Sequence, residues 1–190
     1  MAVSGIVLGL LASAFGSIAA GLARADPVVT VRNGSYEGLY LSVFEQDVFL
    51  GVPYAQDTGG PNRFRVPQSL NETWSGTRTA KAYGNACPDY HLSAEELHGM
   101  SENCLSINIV RPAEVRSSSS SNGHGNGSAP LLPVMLWIHG GAYQYGGSGQ
   151  SAYNLPYLMQ KSVEIGSPVI GTSINYRKGG WGNLYSVEIQ

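Results

Sequence analysis

Residues 134–143 read VMLWIHGGAY: an apolar run rich in β-formers ends at His139, and Gly140, Gly141 and Ala142 follow at once. Five apolar residues suit a buried strand and are too few for a helix. Consecutive glycines at a strand end let the backbone approach a ligand closely, with N–H groups turned outward. The chemistry such a turn serves is stabilisation of the oxyanion that forms on a carbonyl oxygen during acyl transfer. One fixed donor contributes about 2.7–4 kcal/mol to that transition state. Taken alone, Gly140–Gly141 is equally a tight turn. His139 either reaches toward a substrate or orients the loop; loop orientation is preferred, and His139 is not assigned as a catalytic base.

Acyl transfer by a serine also needs a nucleophile, held in a Gly-x-Ser-x-Gly elbow between a strand and a helix. No serine here has glycine at both −2 and +2. The nearest case, Gly149-Gln150-Ser151-Ala152, runs into Tyr153 where glycine is required. No strand leads into it, so Ser151 is set aside. His91 and His98 flank Glu95 and Glu96 without metal-ligand spacing such as H-E-x-x-H, which reads as a solvated loop and not as a metal site.

The elements that must position the glycine turn follow from periodicity. Residues 28–31 and 36–44 read as strands around the hairpin signal Asn33-Gly34. Residues 48–52 form another strand, ended by Pro53, and 57–62 (DTGGPN) a loop. In residues 104–110, Leu105, Ile107 and Ile109 alternate with Ser106 and Asn108, the pattern of a half-buried strand. Residues 151–163 are moderately helical with Pro156 near the first turn, and 171–175 are a second buried-strand candidate. Strand, glycine loop, helix and strand fit a parallel crossover in an α/β sheet. Between two strands, residues 116–129 (RSSSSSNGHGNGSA) are expected as a flexible surface loop.

The chain of 190 residues is 43% hydrophobic with net charge −2, enough for one domain with a core. Its 11 Lys and Arg residues are scattered, which excludes a nucleic-acid-binding stripe. Residues 1–25 read as a secretory signal peptide: 6–22 are apolar, and Ala23-Arg24-Ala25 suits cleavage before Asp26. A transmembrane anchor is the alternative reading of that segment; no later segment is apolar enough to span a bilayer. In a secreted chain the two cysteines, Cys87 and Cys104, favour a disulfide over two buried thiols. A bridge closing residues 87–104 stabilises by roughly 3 kcal/mol in the chain-entropy model. Asn33, Asn71 and Asn126 begin glycosylation sequons.

Five blocks in order, residues 49–55 (FLGVPYA), 63–67 (RFRVP), 101–112 (SENCLSINIVRP), 137–143 (WIHGGAY) and 174–177 (INYR), make the chain similar to the type-B carboxylesterase/lipase family of fungal lipases and cholinesterases. The resemblance covers most of the chain from about Val28 onward. It implies an α/β-hydrolase fold, N-terminal portion only, with antiparallel edge strands leading into the central mixed sheet over residues 26–190. It implies oxyanion donation by the main-chain N–H groups of Gly141 and Ala142, with Gly140 giving the turn room and Ala142 keeping a negative φ. It also implies pairing of Cys87 with Cys104 and a structural ion pair between Arg63 and Glu102. The triad residues follow the INYR block in this family, so they are expected to be absent here. Lys178 and Asn183 stand where relatives tend to carry apolar residues, which leaves the packing of the last segment open. Asn103 replaces the family's usual Asp. Tyr143, Tyr145 and Trp181 either line an acyl or alcohol pocket or pack in the core.

The expectation is therefore a secreted carboxylic ester hydrolase working by serine acyl transfer on a small-molecule or lipid ester, with no metal or organic cofactor and no stable membrane span, truncated before its nucleophile. The alternatives are a non-catalytic, cholinesterase-like binding or adhesion protein and an incomplete gene model.

Overall fold

The computed structural model describes residues 24–93, 96–113, 131–184 and 186–187. Most of the expected signal segment, the Ser/Gly loop at 116–129, Asn126 and Glu95 lie outside them.

A five-stranded mixed sheet carries the glycine turn. Its strands are β3 (Leu39–Leu41), β4 (Gln46–Pro53), β6 (Ser106–Pro112), β7 (Val134–Ile138) and β8 (Ile170–Ile174), in the order β3-β4-β6-β8-β7. β3, β4, β6 and β8 pair antiparallel in turn, and β8 pairs parallel with β7. Between the parallel strands the chain passes through the glycine turn, a 3-10 turn at Ser151–Tyr153 and helix α1 (Leu155–Glu164). Pro156 sits in the first turn of α1, where its missing N–H costs nothing. Leu155, Met159 and Ser162 recur at helical spacing and are buried. Met159 packs with Val48 and Val110, and it lies so close to Gly171 that a Cβ there would sit 2.7 Å from the Met159 sulfur. The strand-loop-helix-strand unit thus has the parallel arrangement its pattern predicts.

A smaller sheet, in the order β1-β2-β5, joins β1 (Val28–Val31), β2 (Gly34–Glu37) and β5 (Thr77–Thr79). Residues 36–44 do not form one strand as the pattern suggests: the chain leaves the small sheet at Gly38 and enters the large one as β3. Gly38 permits this, because a Cβ there would lie 2.3 Å from the Val48 carbonyl oxygen. The β1–β2 turn comprises Arg32 and Asn33, one residue earlier than the Asn-Gly signal suggests. Gly34 is instead paired in β2, and the Trp74 indole occupies the space a side chain would fill.

Two expectations about burial are corrected. β6 buries Ser106, Asn108 and Val110, leaving Ile107 and Ile109 only partly covered. The polar face goes inward because Asn108 finds partners there: it donates to Ser148 Oγ at 3.0 Å and Ser173 Oγ at 3.1 Å, and it accepts from Gly51 N at 2.9 Å. That last bond takes up an amide at the irregular register between Phe49 and Val52 of β4. β7 is not a buried strand either. It is the edge of the sheet, and Val134, Leu136, Trp137 and Ile138 are all exposed.

Candidate active site

Beyond β7 the chain turns sharply. Gly141 carries φ 115°, and Ala142 and Tyr143 follow at φ 52° and 60°. Ala142 thus departs from the negative φ expected of it. The turn closes through Gln144 N and Tyr145 N, both donating to Gly141 O at 2.9 and 3.1 Å, and this closure holds the intervening residues left-handed. A Cβ on Gly141 would stand 1.8 Å from the Tyr145 carbonyl oxygen, so no other residue fits without moving the turn. The N–H groups of Gly141 and Ala142 donate to no acceptor among the described residues. Gly140 and Ala142, on either side of Gly141, line a cleft of about 590 Å³ with Ile138, His139, Tyr143, Ile174 and Tyr176. Unengaged N–H donors on a turn beside a cleft are the kind of group that can hold a developing oxyanion.

His139 supports this turn from below. It is buried, and its Nδ1 lies 2.8 Å from Gly140 O. The carbonyl can only accept, so Nδ1 carries the proton and Nε2 is left buried without a partner. Burial pushes the imidazole below its usual range; nearby Lys178 adds to this, against the raising effect of the Gly140 bond. The ring stacks on Tyr176 with centroids 4.3 Å apart.

The INYR block packs against the same loop. Asn175 Oδ1 accepts from Ser148 N at 2.8 Å, Asn175 Nδ2 donates to Asn85 O at 3.0 Å, and Tyr54 OH donates to Asn175 O at 2.5 Å. Arg177 donates to Arg65 O at 2.9 Å. The blocks that are remote in sequence therefore meet around the glycine turn.

The remaining candidates lie away from the cleft. Cys87 and Cys104 are bonded to each other and buried with Ala55 and Leu105. Arg63 engages Glu102 with both ends of its guanidinium, Nε to Oε1 at 2.7 Å and Nη2 to Oε2 at 2.5 Å. That contact is the main reason the Glu102 carboxyl titrates below its ordinary range. Asn33 is half-buried and Asn71 exposed. Of the three aromatics proposed for a pocket, Tyr143 lines the cleft, while Tyr145 meets His91 and Trp181 meets Tyr90. His98 stacks on Tyr83, and among the described residues no group of His, Cys, Asp and Glu is arranged for a metal ion.

The pairing of Lys178 with Asp89 is not legible in the sequence. Both side chains are fully buried, with Lys178 Nζ 2.9 Å from Asp89 Oδ2. Their only sequence signal is the charge at 178 in a position expected to be apolar. Asn183 reaches the same turn, donating to Tyr143 O at 3.5 Å.

A family model described as the carboxylesterase family matches residues 25–188. An inactive carboxylesterase-like protein of Byssochlamys spectabilis is 37% identical over 166 residues, covering 85% of this chain and 26% of that protein. A secreted lipase of Arthroderma benhamiae is 33% identical over 169 residues, covering 87% of this chain and 28% of the lipase. The crystal structure of Aspergillus niger EstA superposes with a TM-score of 0.68 at 31% identity, over 87% of this chain and 28% of that one. The chain thus spans between 26% and 28% of the length of these relatives.

Proposed function

This chain belongs to the carboxylesterase family, and we propose that it supplies the oxyanion-binding element of a secreted carboxylic ester hydrolase. Its mixed sheet is the N-terminal portion of an α/β-hydrolase fold. The observation that carries the functional reading is the pair of unengaged N–H groups at Gly141 and Ala142, held in a left-handed turn against the cleft.

In this reading a serine hydroxyl outside this chain attacks the carbonyl carbon of a small-molecule or lipid ester and gives its proton to a histidine base. The carbonyl oxygen becomes the oxyanion and accepts from Gly141 and Ala142, with a third donor following the nucleophile. Collapse expels the alcohol, which takes the proton, and water then hydrolyses the acyl-enzyme. His139 is read as the support of the turn: its ring is buried, donates Nδ1–H to Gly140 O and stacks on Tyr176. Arg63–Glu102 and the disulfide serve as structural ties.

Residues 1–25 are assigned as a leader and 26–190 as the first part of the hydrolase domain, with 116–129 as a surface loop. Secretion is supported by the likeness to a secreted lipase and by the disulfide. No helix among the described residues is long and apolar enough to cross a membrane. Removal of the leader would take Arg24 from Asp47, which keeps Arg111 Nη2 at 3.1 Å.

The test is to purify the native secreted product, map its peptides to the C-terminus and assay p-nitrophenyl butyrate hydrolysis with and without Gly141→Ala. A longer, active product whose kcat falls at least about 100-fold in the variant is the expected result. Unchanged hydrolysis in Gly141→Ala overturns the oxyanion assignment. A stable product that ends at Gln190 and hydrolyses nothing favours a second reading, a non-catalytic binding protein, for which the likeness to an inactive relative is the supporting observation.

A further inference from the structure

Gly146 ends the turn that begins at Gly140, and both of its backbone polar groups are held by one buried ion pair. Gly146 N donates to Asp89 Oδ2 at 2.6 Å, and Lys178 Nζ donates to Gly146 O as well as to Asp89 Oδ2 at 2.9 Å. Asp89 Oδ1 accepts from His91 N at 2.7 Å and Leu92 N at 3.0 Å, so the carboxylate is saturated on both oxygens. Neither side chain of the pair reaches solvent. The fit around Gly146 is tight: a Cβ there would lie 2.8 Å from both Gly140 O and His139 Nδ1.

From this arrangement we propose that Asp89 and Lys178 are positioning residues for the oxyanion turn, an inference that rests on the proposed hydrolase reading. Gly146 touches Gly140 and His139, so any shift of Gly146 is passed to the residues that aim the Gly141 and Ala142 amides. The pair locks the exit of the turn as His139 and Tyr176 lock its entry. The lysine at 178 brings a donor for Gly146 O and a counter-charge for Asp89 to the same point. Asp89 lies two residues beyond Cys87, which links the turn to the disulfide-tied loop. An apolar residue at 178 would leave Asp89 and Gly146 O without that partner.

The experiment compares Lys178→Met, Lys178→Arg and the double variant Asp89→Asn/Lys178→Met, the last sparing the fold a lone buried charge, in the native full-length protein. Two readouts are taken. Amide hydrogen exchange in the peptide covering residues 140–146 is expected to speed up at least about tenfold, while the peptide covering β6 stays unchanged. The kcat for p-nitrophenyl butyrate is expected to fall between about 10- and 100-fold in the double variant, with KM within about twofold. Gly141→Ala, run beside them, marks full loss of the oxyanion site.

Unchanged exchange at 140–146 in the folded double variant overturns the proposal whatever the activity. Unchanged kcat in that variant, where Gly141→Ala abolishes it, overturns the positioning role and leaves the hydrolase reading standing. Faster exchange in a protein whose hydrolysis ignores Gly141→Ala supports the clamp as a lock on the turn and removes the oxyanion reading instead.

Discussion

The ring of Tyr176 lies flat on the imidazole of His139 at 4.3 Å, and its hydroxyl donates to the His139 carbonyl oxygen at 2.8 Å. β7 and β8 are parallel neighbours with Ile138 opposite Ile174, so both motifs leave the sheet on the same side. The INYR block is therefore the partner that holds the residue leading into the glycine turn by ring and by backbone together.

Because burial depresses its titration, His139 is neutral in the fold near pH 7. The unfolded imidazole titrates near 6.5, so below that value the unfolded chain binds the extra proton first. Stability is thus full above about pH 6.5 and is lost as the pH falls toward the folded value. Urea midpoints at pH 7.5, 6.5 and 5.5 should decline with acidity, and His139→Gln should flatten that decline. Parallel profiles for the two proteins would show that another group governs it.

Ala142 holds a left-handed φ that costs an L-residue roughly 1–2 kcal/mol. Ala142→Gly should therefore raise stability by about 0.5–1 kcal/mol after the entropy of the more flexible unfolded chain is counted. Chemical denaturation checks this, and a lower midpoint in the variant would contradict the conformation.

The Cys87–Cys104 bond, with a sequence separation of 17, constrains the segment that carries Asp89. Replacing both cysteines by serine should destabilise the fold by roughly 3 kcal/mol in the chain-entropy model. The prediction fails if the melting temperature of the wild-type protein is the same with and without a thiol reductant.

The two described sequons differ in what their amides do. Asn33 Nδ2 donates to Leu70 O at 3.1 Å and Glu72 O at 2.6 Å, whereas Asn71 is exposed. A glycan on Asn33 would replace one of the two Nδ2 hydrogens and cost at least one of those bonds. Glycopeptide mapping of the secreted protein should find Asn71 occupied and Asn33 bare; the opposite pattern would mean that the hairpin tolerates the loss.

β7 offers a sheet edge with Val134, Leu136 and Ile138 exposed. Exposed apolar edges pair with other chains. The 190-residue chain expressed alone should associate, and Leu136→Lys should shift it toward monomer in light scattering. A monodisperse wild-type chain at high concentration would refute this.

The residues that announce themselves in the sequence are those whose role is local. The glycine turn after β7, Pro156 at the start of α1 and the apolar spacing of Leu155 and Met159 all act within a few residues of themselves. Short-range sterics and periodicity suffice to read them, and with them the parallel crossover from β7 to β8. What the tertiary structure decided depends on partners far along the chain. Asn108 turns inward because Ser148 and Ser173 await it, reversing the face that alternation alone assigns to β6. Ala142 takes a left-handed φ because the turn closes on Gly141 O. Lys178 is buried because Asp89, a separation of 89 residues away, neutralises it beside Gly146. Burial of a polar group is favourable only where its partners converge, and that convergence is a property of the folded chain, not of any window along it.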